Sequence, residues 1–239
     1  MLPWTTESPA ARLTEVRDTS LSKLVRDEVL GLILGGSLMP GQRINEPDVA
    51  GRLKVSRVPV REALRELEST GLVVARKHSG VFVRELDETE VRDLYEMRSL
   101  LDGYAGRRVA RLPQAERLAL VEWLEASVNS TEVAEQADEV QRYYAENLRF
   151  HWAIIEAAGN RQMAETYRGI VQKLHLSRLK NLSRAVGMRI SIAEHRTICR
   201  ALRNCKSNAD AARLEELMAR HVSDAYLRLQ TAHSKGDNP

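Results

Sequence analysis

Residues 46–83 constrain the fold more than any other part of the chain. Val49, Ala50 and Leu53 form one side of a short helix expected over Glu46 to Leu53, with Asn45 placed to cap it and Pro47 in its first turn. A second helix follows almost at once. Ser56 suits its cap, and Pro59 is tolerated because first-turn amides have no intrahelical acceptor. Val60, Ala63, Leu64 and Leu67 make its apolar stripe, and Gly71 ends it. Two β-prone runs come next, Leu72 to Ala75 and Val81 to Val83, joined by the basic turn Arg76-Lys77-His78-Ser79-Gly80.

An upstream helix completes the unit. Leu21, Leu24, Val25, Val29 and Leu32 recur at three- and four-residue steps, Gly35-Gly36 stops the pattern, and Met39-Pro40-Gly41 makes a turn. Helix, tight turn, helix and hairpin is the order of a winged helix-turn-helix, expected over residues 20–84. In such a unit the second helix enters the major groove of double-stranded DNA, and its first residues reach base edges. Ser56, Arg57, Val58 and Arg61 occupy those positions. Arg57 and Arg61 are four apart and project from one side, opposite the apolar stripe. A guanidinium bonds guanine O6 and N7 bidentately, for about 1–3 kcal/mol of discrimination per good pair. Val58 suits a thymine methyl. Lys77 and His78 are placed for phosphate or the minor groove, and Gly80 permits close backbone approach. Any one of Arg57, Arg61 and Arg65 alone reads equally well as a solvated helix face. Cap, spacing, hairpin and charge agree on DNA.

The net charge of +3 is informative once divided along the chain. Residues 20–84 hold eleven Lys/Arg against seven Asp/Glu, whereas residues 85–239 hold 23 of each. All the positive excess lies where phosphates are expected.

With 239 residues, 43% of them hydrophobic and 29% charged, the chain suits two ordinary globular domains. Cys199 and Cys205 match neither a disulfide framework nor a CxxC pattern and read as free thiols in a reducing compartment. Met1 to Ala10 has no export-signal pattern, and the longest apolar run, Val29 to Leu34, is too short for a bilayer. A cytoplasmic protein with no membrane partner is expected. Residues 1–19 read as a loosely ordered arm and 233–239 as a disordered tail. From about residue 85 to 232 almost nothing reads as strand. Helices are expected over 88–111, 114–129, 132–158, 161–182, 188–204 and 208–232, with breaks at Leu112-Pro113, Asn129-Ser130, Gly159-Asn160, Ser183 to Gly187 and Asn204 to Ser207. The fold class is therefore mainly α, a winged helix-turn-helix followed by an antiparallel bundle of six or seven helices.

Asn147, His151, His195 and His221 stand out in this second half. The histidines lie on three separate expected helices near apolar neighbours, and Asn147 and His151 share one helix face. Imidazoles converging from several helices can hold zinc or another transition metal, although a lone histidine beside an apolar stripe is more often a satisfied core residue. A metal with three histidines could also hydrolyse a substrate if water held an open position. No HExxH, GxSxG or paired carboxylate accompanies them, so no enzyme is expected.

The stretch PGQRINEPDVAGRLKVSRVPVREALRELESTGLVVARKHSGVFV resembles the DNA-binding domain of the GntR superfamily of bacterial transcription factors, most specifically at KVSRVPVREALRELESTGLV and HSGVFV. The resemblance implies that Arg57 and Arg61 contact operator bases and that Gly80 approaches the minor groove. Many members of the FadR-type branch carry an arginine where Pro47 stands, so the operator is expected to differ. LYEMRSLLDGYAGRRVA, NLRFHWAIIEAAGN, AEHRTICRAL and ADAARLEELMARHV are similar to the FCD ligand-binding domain of that branch. Its metal-containing members use an Asp-x3-His pair and two later histidines, often for zinc. The resemblance implies a divalent transition metal, zinc first, on Asn147, His151, His195 and His221, with Asn147 in place of the usual aspartate. It also implies a small carboxylic acid effector beside the metal, and a homodimer reading a pseudo-palindromic operator with two recognition helices is the expected binding mode. Arg98 matches a family arginine that can pair with such a carboxylate. A surface salt bridge with Glu96, Asp102 or another neighbour is the competing reading, and Asp102 stands where a glutamate is usual.

Overall fold

The computed structural model describes residues 21–179 and 187–234. The arm expected at 1–19 and residues 235–239 of the expected tail lie outside these. In chain order the described elements are α1 (Leu21–Leu34), β1 (Arg43–Ile44), α2 (Glu46–Leu53), α3 (Arg57–Ser69), β2 (Val73–Arg76), β3 (Gly80–Val83), α4 (Glu88–Ala110), α5 (Gln114–Gln136), α6 (Val140–Ala157), α7 (Arg161–Leu179), α8 (Met188–Asn204) and α9 (Asn208–Ser234). They form two units, residues 21–87 with 172–179 and residues 88–171 with 187–234.

In the first unit α1 presents Val25, Val29 and Ile33 inward at four-residue steps. They share one buried cluster with Val49 and Ala50 of α2, with Val60, Ala63, Leu64 and Leu67 of α3, and with Ile44, Leu72, Val73, Val83 and Leu176. Lys54 ends α2 in the left-handed region at φ 55°, and α3 starts three residues later. Asn45 and Ser56 stand at the two cap positions as expected, but neither makes a side-chain cap bond; Asn45 Nδ2 donates instead to Asp48 Oδ2 at 2.7 Å. The sheet order is β1-β3-β2, all antiparallel, with Arg43 opposite Phe82 and Arg76 opposite Gly80. β1 is an addition to the sequence reading. At two residues it is too short to alternate visibly, yet Ile44 points into the core and Arg43 outward. His175 Nε2 donates to the Leu34 carbonyl at 2.9 Å, which satisfies one of the open acceptors at the end of α1.

The second unit is a bundle of α4, α5, α6, α8, α9 and the first part of α7. The break expected at Asn129-Ser130 is absent, and α5 runs unbroken to Gln136. Ser127, Val128, Thr131 and Ala134 stay buried across the supposed break, and Thr131 Oγ1 donates back to the Ser127 carbonyl at 2.8 Å. Packing against α6 and α8 outweighs the weak helix preference of Asn, Ser and Thr. The chain turns at Ala137 to Glu139, with Asp138 at φ 55°. Of the loop expected at 183–187, only Gly187 (φ 79°) is among the described residues. α4 lies closely along α9: a Cβ at Gly106 would stand 2.8 Å from Met218 Cγ, and one at Gly103 3.0 Å from the Glu215 carbonyl oxygen. Among the described residues no helix is long and apolar enough to cross a membrane.

Candidate functional site

The first site is the exposed face of α3 with the hairpin tip. Pro59, Val60, Ala63, Leu64 and Leu67 anchor α3 in the core, which leaves Ser56, Arg57, Val58 and Arg61 on the outside. Val58 is 63% exposed. Arg61 Nε donates to Glu46 Oε2 at 2.8 Å, so α2 aligns this guanidinium. Pro47 sits in the first turn of α2. Lys77 and His78 form the tight turn between β2 and β3, with His78 at φ 62°, and both are exposed. Gly80 opens β3 at φ 101°, and a Cβ there would meet Arg43 Nε at 3.1 Å. The backbone conformation favours glycine here, and beside it lies Arg43, a cation of the hairpin sheet that sequence reasoning missed because β1 carried no signal.

The second site lies in the helical unit. His151 of α6, His195 of α8 and His221 of α9 are 1%, 0% and 4% exposed, and their Nε2 atoms form a triangle. The sides are 3.3 Å (His151 to His195), 3.1 Å (His195 to His221) and 3.2 Å (His221 to His151). Phe150 stacks on the His195 ring with centroids 3.9 Å apart and walls one side.

Carboxylates fix two of the rings from behind. Asp102 Oδ1 accepts from His151 Nδ1 at 2.7 Å, and Glu194 Oε2 accepts from His221 Nδ1 at 2.6 Å. Asp102 Oδ2 also accepts from Tyr167 OH at 3.0 Å. Arg98 is buried; its Nε donates to Tyr167 OH at 3.1 Å and lies 3.4 Å from Asp102 Oδ2, with no pairing to Glu96. Arg228 holds Glu194 with a two-pronged contact, both bonds at 2.9 Å. Burial opposes ionisation of Asp102, but His151, Arg98 and Tyr167 outweigh it and hold the carboxyl below its ordinary range. Burial likewise opposes ionisation of Glu194, and His221 and Arg228 overcome it. Burial drives His151 down to about 4 against the opposing pull of Asp102. Burial, with His221 and His151 adjacent, also holds His195 well below the ordinary histidine range.

These protonation states test whether the residues fit a metal. With Asp102 ionised and His151 neutral, the shared hydrogen sits on His151 Nδ1, so its Nε2 carries a bare lone pair facing His195 and His221, and the bond to Glu194 turns His221 Nε2 to the same point. A hydrogen on His195 Nε2 can bridge the triangle only partly, and His195 Nδ1 has no hydrogen-bond partner. A cation at the centre resolves this. Zinc–imidazole bonds of about 2.0–2.1 Å at tetrahedral angles set nitrogens about 3.3–3.4 Å apart, and a facial octahedral set closes to about 3.0 Å. The observed spacing falls in this range, and carboxylates behind the rings are the usual support for metal-binding imidazoles. The three histidines could hold a metal ion.

Asn147 lies one turn before His151, is half-buried, and its Oδ1 accepts from the Ser191 hydroxyl at 3.4 Å. Asp102 had been noted only as an unusual neighbour of Arg98, and Tyr167, Glu194 and Arg228 were not foreseen. They come from different helices, so no local spacing announces them.

Comparison with known proteins matches both units to known domain families. Residues 21–83 match the family described as bacterial regulatory proteins, gntR family, and residues 93–224 match the FCD domain. A protein of Paenarthrobacter nicotinovorans named as a probable D-xylose utilization operon transcriptional repressor is 31% identical over 230 residues, 96% of each chain. The Nta operon transcriptional regulator of Aminobacter aminovorans is 32% identical over 140 residues, 58% of this chain and 64% of that one. Among solved structures, a GntR regulator from Rhodococcus sp. RHA1 superposes with a TM-score of 0.71 at 23% identity, over 90% of this chain and 99% of that one. Escherichia coli McbR/YncC does so with 0.68 at 19%, over 88% and 99%. Both share the fold. The chain belongs to the GntR family of bacterial regulatory proteins, as a transcriptional regulator whose DNA-binding domain is joined to an FCD domain.

Proposed function

We propose that this regulator is a cytoplasmic repressor that binds a pseudo-palindromic operator as a homodimer and is controlled by a small carboxylate metabolite. Residues 20–84 read DNA. Arg57 and Arg61 address guanines, Ser56 and Val58 complete the groove contact, and Lys77, His78 and Gly80 meet the backbone or minor groove. Residues 85–232 bind the effector and hold the two copies together. His151, His195 and His221 hold a divalent transition metal, zinc first, with Asn147 as a further donor through its amide oxygen. An amide oxygen brings no charge, so the affinity is lower than with an aspartate.

The observation that carries this reading is the triangle of buried imidazole nitrogens, 3.1–3.3 Å on a side, backed by two carboxylates. A bound metal supplies positive charge for an acidic ligand. Arg98 meets Asp102 and Tyr167 through Nε, which leaves its Nη edge for the effector carboxylate. The acid relieves repression to the extent that it prefers the arrangement that cannot bind DNA.

Burial of all three rings to 4% exposure or less favours a second reading, in which the metal only staples the bundle or is itself what the protein senses. Metal content of the purified protein, followed by melting shifts across a panel of small carboxylates with and without chelator, separates them. A shift that needs metal and acid together supports the effector site. A shift from metal alone, with none of the acids adding to it, supports the staple. A protein that takes up no metal removes both.

A further inference from the structure

The outer face of the hairpin sheet holds two arginines that nothing in the fold uses. Side chains alternate along β3: Val81 packs against the buried cluster and Val83 lies within it, so Gly80 and Phe82 face outward. Arg43 of β1 stands opposite Phe82 and Arg76 of β2 stands opposite Gly80, which places both arginines on that outer face. Each leans across β3. The Arg43 guanidinium rests over Gly80, where its Nε and Nη2 would lie 3.1 and 3.3 Å from a Cβ. The Arg76 guanidinium rests over the Phe82 ring, 4.5 Å from its centroid. Two cations from the flanking strands are thereby drawn together over the central one.

No anion of the chain answers them. Both side chains are exposed, and among the described residues neither makes a hydrogen bond or an ion pair. Residues 72–83 contain no Asp or Glu, and Lys77 at the turn adds a third cation. Three carboxylates border the sheet, and each faces another group. Glu68 accepts from the Ala75 N–H at 2.9 Å, Glu46 accepts from Arg61 Nε at 2.8 Å, and Glu85 lies beside Gly41. The position of Arg43 narrows what the missing anion is. Only three residues separate it from Glu46, a span of at most about 10 Å, and Glu46 braces Arg61 of the recognition helix. One turn of duplex is about 34 Å long, so a chain that lays α3 in the major groove carries Arg43 along the same turn. The anions displayed there are backbone phosphates, whose oxygens suit the guanidinium fork.

We infer that Arg43 and Arg76 together grip the sugar-phosphate backbone of the operator beside the hairpin, adding affinity and salt dependence without reading sequence. The rest over Gly80 and the stack on Phe82 hold two otherwise flexible side chains in place before DNA arrives, which lowers the ordering cost of binding. The inference rests on the DNA-binding reading of residues 20–84. It adds to that reading two contacts from the face of the sheet, separate from those of the turn.

Fluorescence anisotropy of the full chain across a salt series tests it, with far-UV circular dichroism to show that each variant is folded. The probes are a duplex that the parent selects from a random-sequence pool and a scrambled duplex of the same composition. Arg43→Gln and Arg76→Gln are each expected to lower the slope of log K against log salt by about 0.9 and to weaken binding about fivefold near physiological salt, on both duplexes alike. The double variant is expected to lower the slope by about 1.8. Arg43→Lys keeps the charge but not the planar group over Gly80, and is expected to keep the slope, which separates charge from packing. Arg213→Gln removes an exposed arginine of α9 and is expected to leave the slope unchanged. A double variant with the parent's slope, an Arg43→Lys that loses slope as Arg43→Gln does, or an equal drop in Arg213→Gln overturns the two contacts while leaving DNA binding in place. A changed base preference in either glutamine variant overturns the backbone assignment. A parent that selects no sequence and binds neither duplex overturns the DNA-binding reading, and this inference with it.

Discussion

Replacing Asp102 with asparagine removes one charge and almost no volume from the centre of the helical unit. Asp102 is fully buried and accepts from His151 Nδ1 and Tyr167 OH, and its Oδ2 lies 3.4 Å from Arg98 Nε. An asparagine can keep the bond from His151 but offers an NH2 group to the Arg98 donor, so the cation loses its counter-ion. At 3.4 Å and an effective dielectric of about 20, the lost attraction is about 5 kcal/mol. Asp102→Asn also escapes the cost of burying a carboxylate, so the expected net destabilisation is about 3–5 kcal/mol, the usual result of leaving one buried charge unpaired. The assay is urea unfolding of the chelated protein. Tryptophan fluorescence is a suitable probe because Trp123 and Trp152, two of the three tryptophans, lie in this unit. Arg98→Met added to Asp102→Asn removes the orphaned cation and is expected to recover part of the loss. A single variant within about 1 kcal/mol of the parent, or a double variant no more stable than the single, would show that the Arg98–Asp102 pair does not hold the site together. The same substitution is expected to weaken metal binding about 10–100-fold, because His151 loses the carboxylate that orients it.

Three further outcomes are expected. If the parent takes up metal, His195→Ala should abolish that uptake, and a variant that still binds one equivalent per chain would move the centre elsewhere. The metal-free protein should lose stability as pH falls from 6.5 to about 4, because across that range the unfolded chain protonates His151 while the folded chain resists, with His195 acting in the same sense. Thermal midpoints that do not change over this window would contradict neutral, buried rings. Arg57→Ala and Arg61→Ala should each cost about 1–3 kcal/mol of operator discrimination in footprinting, and an unchanged sequence preference in both would sink their assignment as base readers.

Much of the DNA-binding unit was legible in the sequence because it is built from local signals. Apolar steps, the Gly71 stop, the four-residue step from Arg57 to Arg61 and a glycine at the hairpin all act over a few residues, and the structure has each where it was expected, although Asn45 and Ser56 occupy their cap positions without making the cap bonds. The three histidines were legible as candidates because few histidines occur and each falls on a helical stretch. The false break at Asn129-Ser130 shows the limit of the same method: local preference is worth tenths of a kcal/mol per residue, and the buried face of α5 overrules it. β1 shows another limit, since two residues carry no period.

What only the tertiary structure decided is convergence. Asp102 behind His151 and Glu194 behind His221 are separated by 49 and 27 positions, and Tyr167 stands 65 from Asp102. No helical spacing reaches across such intervals; they close because α4, α6, α8 and α9 bury their apolar faces together and bring the polar groups with them. The same packing took Arg98 from a possible surface pair into the core, and left Met97, Leu100 and Tyr104 outside. The residue types of the site were written along the chain, but their protonation and their partners were set by which helix faces were dry.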